Sequence, residues 1–264
     1  MIAVNPYTLT DSATMLRRNL RRMRRYPSLT IFIAGIPVVL LLLFVYVLGG
    51  TLGAGLGDVS WGREEYIAYV VPGILLITVA GASQGTAISI AMDMTEGIIA
   101  RFRTMAIARS AVLTGHVIGS VIQTLLALAI VVAVALLIGF RPTTGAAEWL
   151  AAAGLLALAA LAISWLSVAL GMVPKDVETA SNLPMFLVLL PFLSSGFVPT
   201  ESMPGPLGWF AEHQPFTPII ETVRGLLLGT PIGNSGVLAV AWCVGLSIVG
   251  FLWSRRLYDR NPAS

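Results

Sequence analysis

A chain of 264 residues that is 56% hydrophobic and only 11% charged is not a soluble domain, in which about 25% of residues carry charge. Its net charge of +3 and isoelectric point of 9.4 do not point to nucleic acid, because the basic residues are gathered beside apolar runs. The single cysteine, Cys243, lies in such a run and excludes a disulfide framework or a thiolate metal cluster within the chain.

Residues 1–28 precede the first apolar run. Asp11 or Ser12 can cap a short helix in which Ala13, Leu16, Leu20 and Met23 recur at spacings of three and four. Arg17, Arg18, Arg21, Arg22, Arg24 and Arg25 occupy its other faces. Such a helix lies along lipid headgroups with its apolar stripe in the membrane. The alternative is a basic flank that only sets topology.

A lipid hydrocarbon core about 30 Å thick takes about 20 apolar residues to cross as a helix. The sequence predicts six such spans, at 29–49, 66–92, 111–139, 149–173, 178–197 and 235–254. The first has a charged flank but no small-x-small cleavage site after it, so it reads as a retained helix rather than a signal peptide. The expected fold is therefore all-α: a polytopic membrane protein with six transmembrane helices and short connections.

The second span carries a ladder of small residues, Gly81, Gly85 and Ser89, and the third repeats it with Gly115 and Gly119. Small residues let helix backbones approach closely in lipid. Gln84, Thr86 and Gln123 can add bonds between helices. Packing within the bundle is one reading of this set; lining a polar part of a substrate path is the other. Asp93, at the end of the second span, reads as water-accessible. No ionisable residue stands mid-membrane and no inverted repeat is evident, which disfavours proton- or sodium-driven transport.

The loop after the second span runs from Asp93 through Glu96, Gly97, Arg101, Phe102 and Arg103 to Arg109. It mixes charge with apolar residues and has no proline. A short helix parallel to the membrane fits it, either as a docking surface for a soluble protein or as an ordinary interfacial linker. Before the last span comes a longer segment. Prolines, among them Pro199, Pro204, Pro215 and Pro218, punctuate it, and two amphipathic stretches at about 204–213 and 218–228 are each too short to cross. Trp209, Phe210 and Phe216 are expected at the interface. Leu207, Phe210 and Ala211 give the first stretch an apolar face. Glu221 and Arg224, three apart on the second, can pair on its polar face.

Thirteen of the sixteen basic residues fall before the first span, in alternate loops, or after the last. By the positive-inside rule both termini are cytoplasmic, and the loops at 50–65, 140–148 and 198–234 are external. Catalytic chemistry is not indicated. There is no G-x-x-x-x-G-K-[ST] phosphate loop, and the single lysine stands in Val173-Pro174-Lys175-Asp176. His116 and His213 fall on opposite sides of the expected membrane, and His116 reads as a packing or hydrogen-bonding residue. Glu64 and Glu65 read as solvated.

Several of these segments resemble one family. Glu96-Gly97, Arg101-Phe102-Arg103 and Ile107-Ala108-Arg109-Ser110 are its cytoplasmic carriers. Ser195-Gly196-Phe197-Val198-Pro199, Met203-Pro204, Gln214-Pro215-Phe216-Thr217-Pro218 and Arg224-Gly225-Leu226 are its external ones. Together they resemble the ABC-2 type transporter permeases, especially the daunorubicin-resistance-type drug-efflux subgroup. Ala106 departs from the pattern, where relatives often carry proline.

The resemblance implies a single transmembrane domain over 1–264, with 1–28 a cytoplasmic amphipathic N-terminus, 29–254 the six-helix region and 255–264 a cytoplasmic tail. It implies a permease homodimer paired with two copies of a separate ATP-binding subunit, which the N-terminal helix and the Glu96–Arg109 loop would contact. Pro199, Pro204, Pro215, Glu221 and Arg224 would belong to a re-entrant hairpin above the path. The expected function is export of hydrophobic or amphipathic compounds, drug-like or lipidic, across a bacterial cytoplasmic membrane, with no cofactor and no nucleic acid. Export of a cell-envelope glycan or lipid-linked polymer is the alternative. A non-transporting scaffold or immunity protein is the reading from another class.

Overall fold

The computed structural model describes residues 27–49, 62–97, 109–174 and 176–260, with the isolated positions 14, 17, 21 and 25. Every regular element among them is helical. Helix α1 runs from Pro27 to Leu42 and continues as a π-helical turn, Leu43–Leu48. Then follow α2 (Arg63–Thr95), α3 (Arg109–Leu137) and α4 (Ala146–Met172). Two short helices, α5 (Val177–Asn182) and α6 (Met185–Leu189), lead into a 3-10 turn at Leu190–Leu193. The chain closes with α7 (Gly205–His213), α8 (Phe216–Leu228) and α9 (Ser235–Arg260).

Four of these, Arg63–Thr95, Leu113–Leu137, Ala146–Met172 and Ser235–Tyr258, are long and apolar enough to cross a membrane. Two apolar stretches, Ile33–Leu48 and Val177–Leu193, are shorter. Helix α2 is the hub and packs against α1, α3, α4, α5, α6 and α8. Helix α4 lies between α2 and α9. The core is built on Ile67, Val70, Val71, Ile74 and Leu75 of α2, against Ala159 and Ile163 of α4 and Ile220 and Val223 of α8. By contrast α9 turns Val237, Val240, Val244, Ile248 and Leu252 outward. Side chains of this kind need lipid or protein over them, since water does not solvate so long a stripe.

The fifth expected span differs from the sequence reading of 178–197. Proline lacks the N–H that a helix interior needs, and its ring clashes with the carbonyl four residues back. Leu183-Pro184 breaks the helix at this point, and Pro191 enters the 3-10 turn. Seventeen residues of helix reach only about 25 Å, short of the hydrocarbon thickness. The other long helices agree with the sequence reading to within a few residues, except that α9 continues to Arg260.

At the N-terminus, positions 14, 17, 21 and 25 are helical and exposed. The stripe Ala13, Leu16, Leu20 and Met23 lies outside the described residues.

Candidate functional site

Three regions carry polar chemistry. The first is at the hairpin end of the bundle. The two short stretches form helices close to the expected limits, each opening just after a proline: Pro204 precedes α7 and Pro215 precedes α8. Pro199 opens the 3-10 turn Thr200–Ser202 before them. Gly229, at φ +72°, closes α8 in the left-handed conformation that glycine alone adopts freely. On α8, Ile219, Ile220, Val223 and Leu227 are buried and Leu226 is half-buried. On α7 the buried face is Gly208 and Ala211, while Leu207, Trp209 and Phe210 remain exposed. Phe216 is not interfacial; it is 1% exposed, inside the core.

The hairpin serves the backbone that the broken span leaves open. Helix ends carry carbonyls without intrahelical partners, and in lipid no water supplies them. Gln214 Nε2 donates to Leu190 O and Leu193 O at 3.2 and 3.4 Å. Arg224 Nη2 donates to Ser195 O at 2.7 Å and to Tyr69 O of α2 at 3.1 Å. Its guanidinium also lies 3.9 Å from the centroid of the Tyr69 ring. The Ser195 N–H donates to Thr217 Oγ1 at 3.3 Å.

The following glycine sits against Gly73 of α2. A Cβ on Gly73 would fall 2.8 Å from Gly196 O. Phe197 then stacks between Phe44 and Phe192, with centroids 4.6 and 5.2 Å away. The Ser195-Gly196-Phe197 and Gln214–Arg224 segments, singled out separately in the sequence, are therefore two halves of one joint. Arg224 does not pair with Glu221. The Glu221 carboxylate instead accepts from Ser235 Oγ at 2.7 Å, which ties α8 to the start of α9.

The second region is at the opposite end. Asp93 is not water-accessible: it is 3% exposed, and its Oδ2 lies 3.0 Å from Nε2 of His116, itself 6% exposed. A buried carboxylate needs partners, and His116 is one of them. Two turns deeper, Thr86 Oγ1 and Ser120 Oγ are 2.5 Å apart, and Ser164 Oγ donates to Ser120 Oγ at 3.1 Å. Glu96 and Gly97 end α2, with Gly97 at φ +70°. Arg101, Phe102 and Arg103 lie outside the described residues. Arg109 opens α3, and its side chain is outside them as well. Across the neighbouring turn, Asp176 caps α5. The N–H and hydroxyl of Thr179 donate to its carboxylate at 2.7 and 3.0 Å and hold its pKa below the usual value.

The third region is a face of α2. Between Gly81 and Met92 the buried residues are interrupted by a half-buried stripe: Gly81, Gln84, Gly85, Ile88, Ser89 and Met92. The spacing of three and one keeps them on one side of the helix. Nothing lies within 4 Å of a Cβ on Gly81, and Gly85 meets only Ile33 of α1 at 4.0 Å. Gln84 Nε2 donates to Ser181 O of α5 at 2.9 Å. Among the described residues the stripe is thus loosely covered, with α1 near Gly85 and α5 at Gln84. Backbone close approach, expected at Gly81 and Gly85, occurs elsewhere. A Cβ on Gly171 would be 2.5 Å from Ala87 O, and one on Gly250 would be 2.7 Å from the nitrogen of Leu166. Gly115 and Gly119 are buried on α3. Thr86 bonds across to α3, and Gln123 reaches Thr30 Oγ1 at 3.5 Å, as polar residues between spans are expected to do.

The profile of the ABC-2 type transporter family matches residues 11–228. The chain is 32% identical to the daunorubicin resistance ABC transporter permease protein DrrB1 of Streptomyces coeruleorubidus. That match spans 257 residues, 97% of this chain and 88% of the other. It is 24% identical over 245 residues to the probable doxorubicin resistance ABC transporter permease protein DrrC of Mycobacterium tuberculosis, covering 93% and 87% of the two chains.

Proposed function

The chain belongs to the ABC-2 type transporter family, and from that premise we propose that it is the transmembrane subunit of an exporter driven by a separate ATP-binding subunit. The observation that carries this reading is end-to-end similarity, over 97% of the chain, to a permease named for daunorubicin resistance. The substrate class that follows is a hydrophobic or amphipathic compound, and daunorubicin is the natural probe. The functional unit is a permease homodimer with two ATP-binding subunits, in a bacterial cytoplasmic membrane. Both termini and the Glu96–Arg109 loop face the cytoplasm. The six-span reading counts α1 and the broken α5–α6 segment with the four long helices, and treats α7 and α8 as a re-entrant hairpin.

In this reading the half-buried stripe of α2 supports a path for substrate. It offers open space at Gly81, one amide at Gln84, and apolar contact at Ile88 and Met92. Such a lining suits an amphipathic molecule, which needs apolar cover and few polar groups. The joint at Arg224 closes the outer end of the same helix, so the hairpin is the exit gate. The loop carrying Glu96, Gly97, Arg101, Phe102, Arg103 and Arg109 meets the ATP-binding subunit and passes its movement to α2 and α3.

The test is co-expression with ATP-binding subunits encoded beside the gene, purification through a tag on the permease, and measurement of ATP hydrolysis with and without daunorubicin. A stable complex whose hydrolysis rises with daunorubicin supports the proposal. A complex stimulated only by lipid-linked glycan would move the substrate to the envelope class. A chain that assembles with no ATP-binding subunit would leave the scaffold reading.

A further inference from the structure

The spans of this chain are almost free of charge, yet one carboxylate and one imidazole meet inside them. Asp93 stands in the last turn of α2 and His116 two turns into α3, so their 3.0 Å contact joins the two helices beside the roots of the loop between them. Apolar contacts already join this layer. Ile90, Leu113, Val117, Trp165, Val168 and Met172 form one buried cluster with Tyr258. Exchanging a buried ionisable pair for packed apolar side chains is often neutral or stabilising. Stability alone therefore does not call for Asp93 and His116. A directional bond adds what packing lacks, a fixed register between the helices.

The register is set twice. Above the pair, Thr86, Ser120 and Ser164 join α2, α3 and α4 through hydroxyls at 2.5 and 3.1 Å. Tyr258 seats α9 on the same cluster, at 4% exposure. The loop thus springs from a block of four helix ends that is bonded and close-packed. Packed interiors transmit displacement instead of absorbing it.

We infer that Asp93 and His116 are a positioning pair. They lock the two roots of the 97–109 loop, so that a push on the loop moves α2 and α3 as one body and reaches the stripe at Gly81–Met92. Without the pair, the ends of α2 and α3 below the hydroxyl layer would be held by apolar contacts alone, and part of the stroke would be lost. This inference rests on the proposed contact between the loop and the ATP-binding subunit.

The test uses the full complex in proteoliposomes with daunorubicin as probe. The readout is molecules transported per ATP hydrolysed, for wild type, D93N, H116Q and the exchange D93H/H116D. A photo-cross-linking residue at Ile99 reports separately whether the loop touches the ATP-binding subunit. The expected result is a cross-link in all four and a ratio about fivefold lower in each single variant, as for a coupling energy at the low end of the usual range. The exchange should recover most of the loss. Where the exchange fails to assemble, a single variant that melts with wild type and still loses coupling carries the same conclusion. Unchanged ratios with the cross-link intact would overturn the positioning role. A ratio that falls only in proportion to thermal stability would overturn it too. Absence of the cross-link in wild type would remove the loop contact itself and with it the premise.

Discussion

Replacing Arg224 with methionine keeps much of the side chain's apolar stem and removes its bonds. Two donations from one charged nitrogen are lost, to Ser195 O at 2.7 Å and to Tyr69 O at 3.1 Å, together with the stacking on Tyr69. A hydrogen bond to a charged group contributes about 1.5–3 kcal/mol, and a desolvated cation over an aromatic ring about 2 kcal/mol. Against this, removing the guanidinium relieves its own desolvation, and its Nε is already buried without a bond in the chain. The net loss is about 3 kcal/mol, which in a chain of this size lowers a melting midpoint by roughly 6–12 °C.

Cys243 provides the assay. It is the single cysteine, 1% exposed, so a thiol-reactive fluorophore reports its release as the protein melts in detergent. Glu221→Gln is the control, because Glu221 bonds Ser235 rather than Arg224 and an amide oxygen can still accept that bond. It should melt within about 4 °C of wild type, as a loss below 1 kcal/mol does. Arg224→Met melting with wild type, or Glu221→Gln melting as low as Arg224→Met, would refute the joint as described.

Single cysteines at Ser60 and Ser202, in a Cys243→Ala background, should react with an impermeant thiol reagent on whole cells while Ser110→Cys stays protected; labelling of Ser110→Cys would reverse the topology. Glu96→Ala and Arg101→Ala should leave membrane insertion intact and lower daunorubicin transport per ATP, checked in proteoliposomes; unchanged transport in both returns the loop to a plain linker. Gly171→Ala should destabilise by about 1–3 kcal/mol, since its Cβ meets backbone atoms of Ala87 that cannot move aside cheaply. Gly81→Leu should leave the melting midpoint nearly unchanged, because the space beside it is open, while altering which compounds stimulate ATP hydrolysis; equal stimulation profiles would take α2 out of the path.

Long elements were legible because their signal is additive. Long, predominantly apolar runs define α2, α3, α4 and α9 whatever their neighbours do. The short helices α7 and α8 were legible for a related reason: Pro204, Pro215 and Pro218 punctuate stretches too short to cross. The fifth span was not, because hydropathy is blind to Pro184 in the middle of an apolar run.

The joints were harder to read. Arg224 bonds to carbonyls, which every residue possesses, so nothing in the sequence marks Tyr69 or Ser195 as its partners. The nearest carboxylate in sequence, Glu221, was the natural but incorrect partner. Asp93 and His116 did leave a trace. Each stands within about two turns of the same loop on consecutive antiparallel helices, which places them at similar depth. Two ionisable groups at matched depth in otherwise uncharged spans are a signal for a pair. Gly81 and Gly85 were visible as a stripe. Whether small residues mark a contact or a space depends on the neighbouring helices, and here the space beside Gly81 is open.

The most direct test of the central claim is ATP-dependent movement of daunorubicin by the reconstituted complex. Inside-out proteoliposomes containing this chain and its ATP-binding subunits should accumulate the compound when ATP is added to the outside. Accumulation should vanish when either protein is omitted or when the ATP-binding subunit cannot hydrolyse ATP. Equal accumulation with and without ATP, or with the ATP-binding subunit alone, would contradict the account.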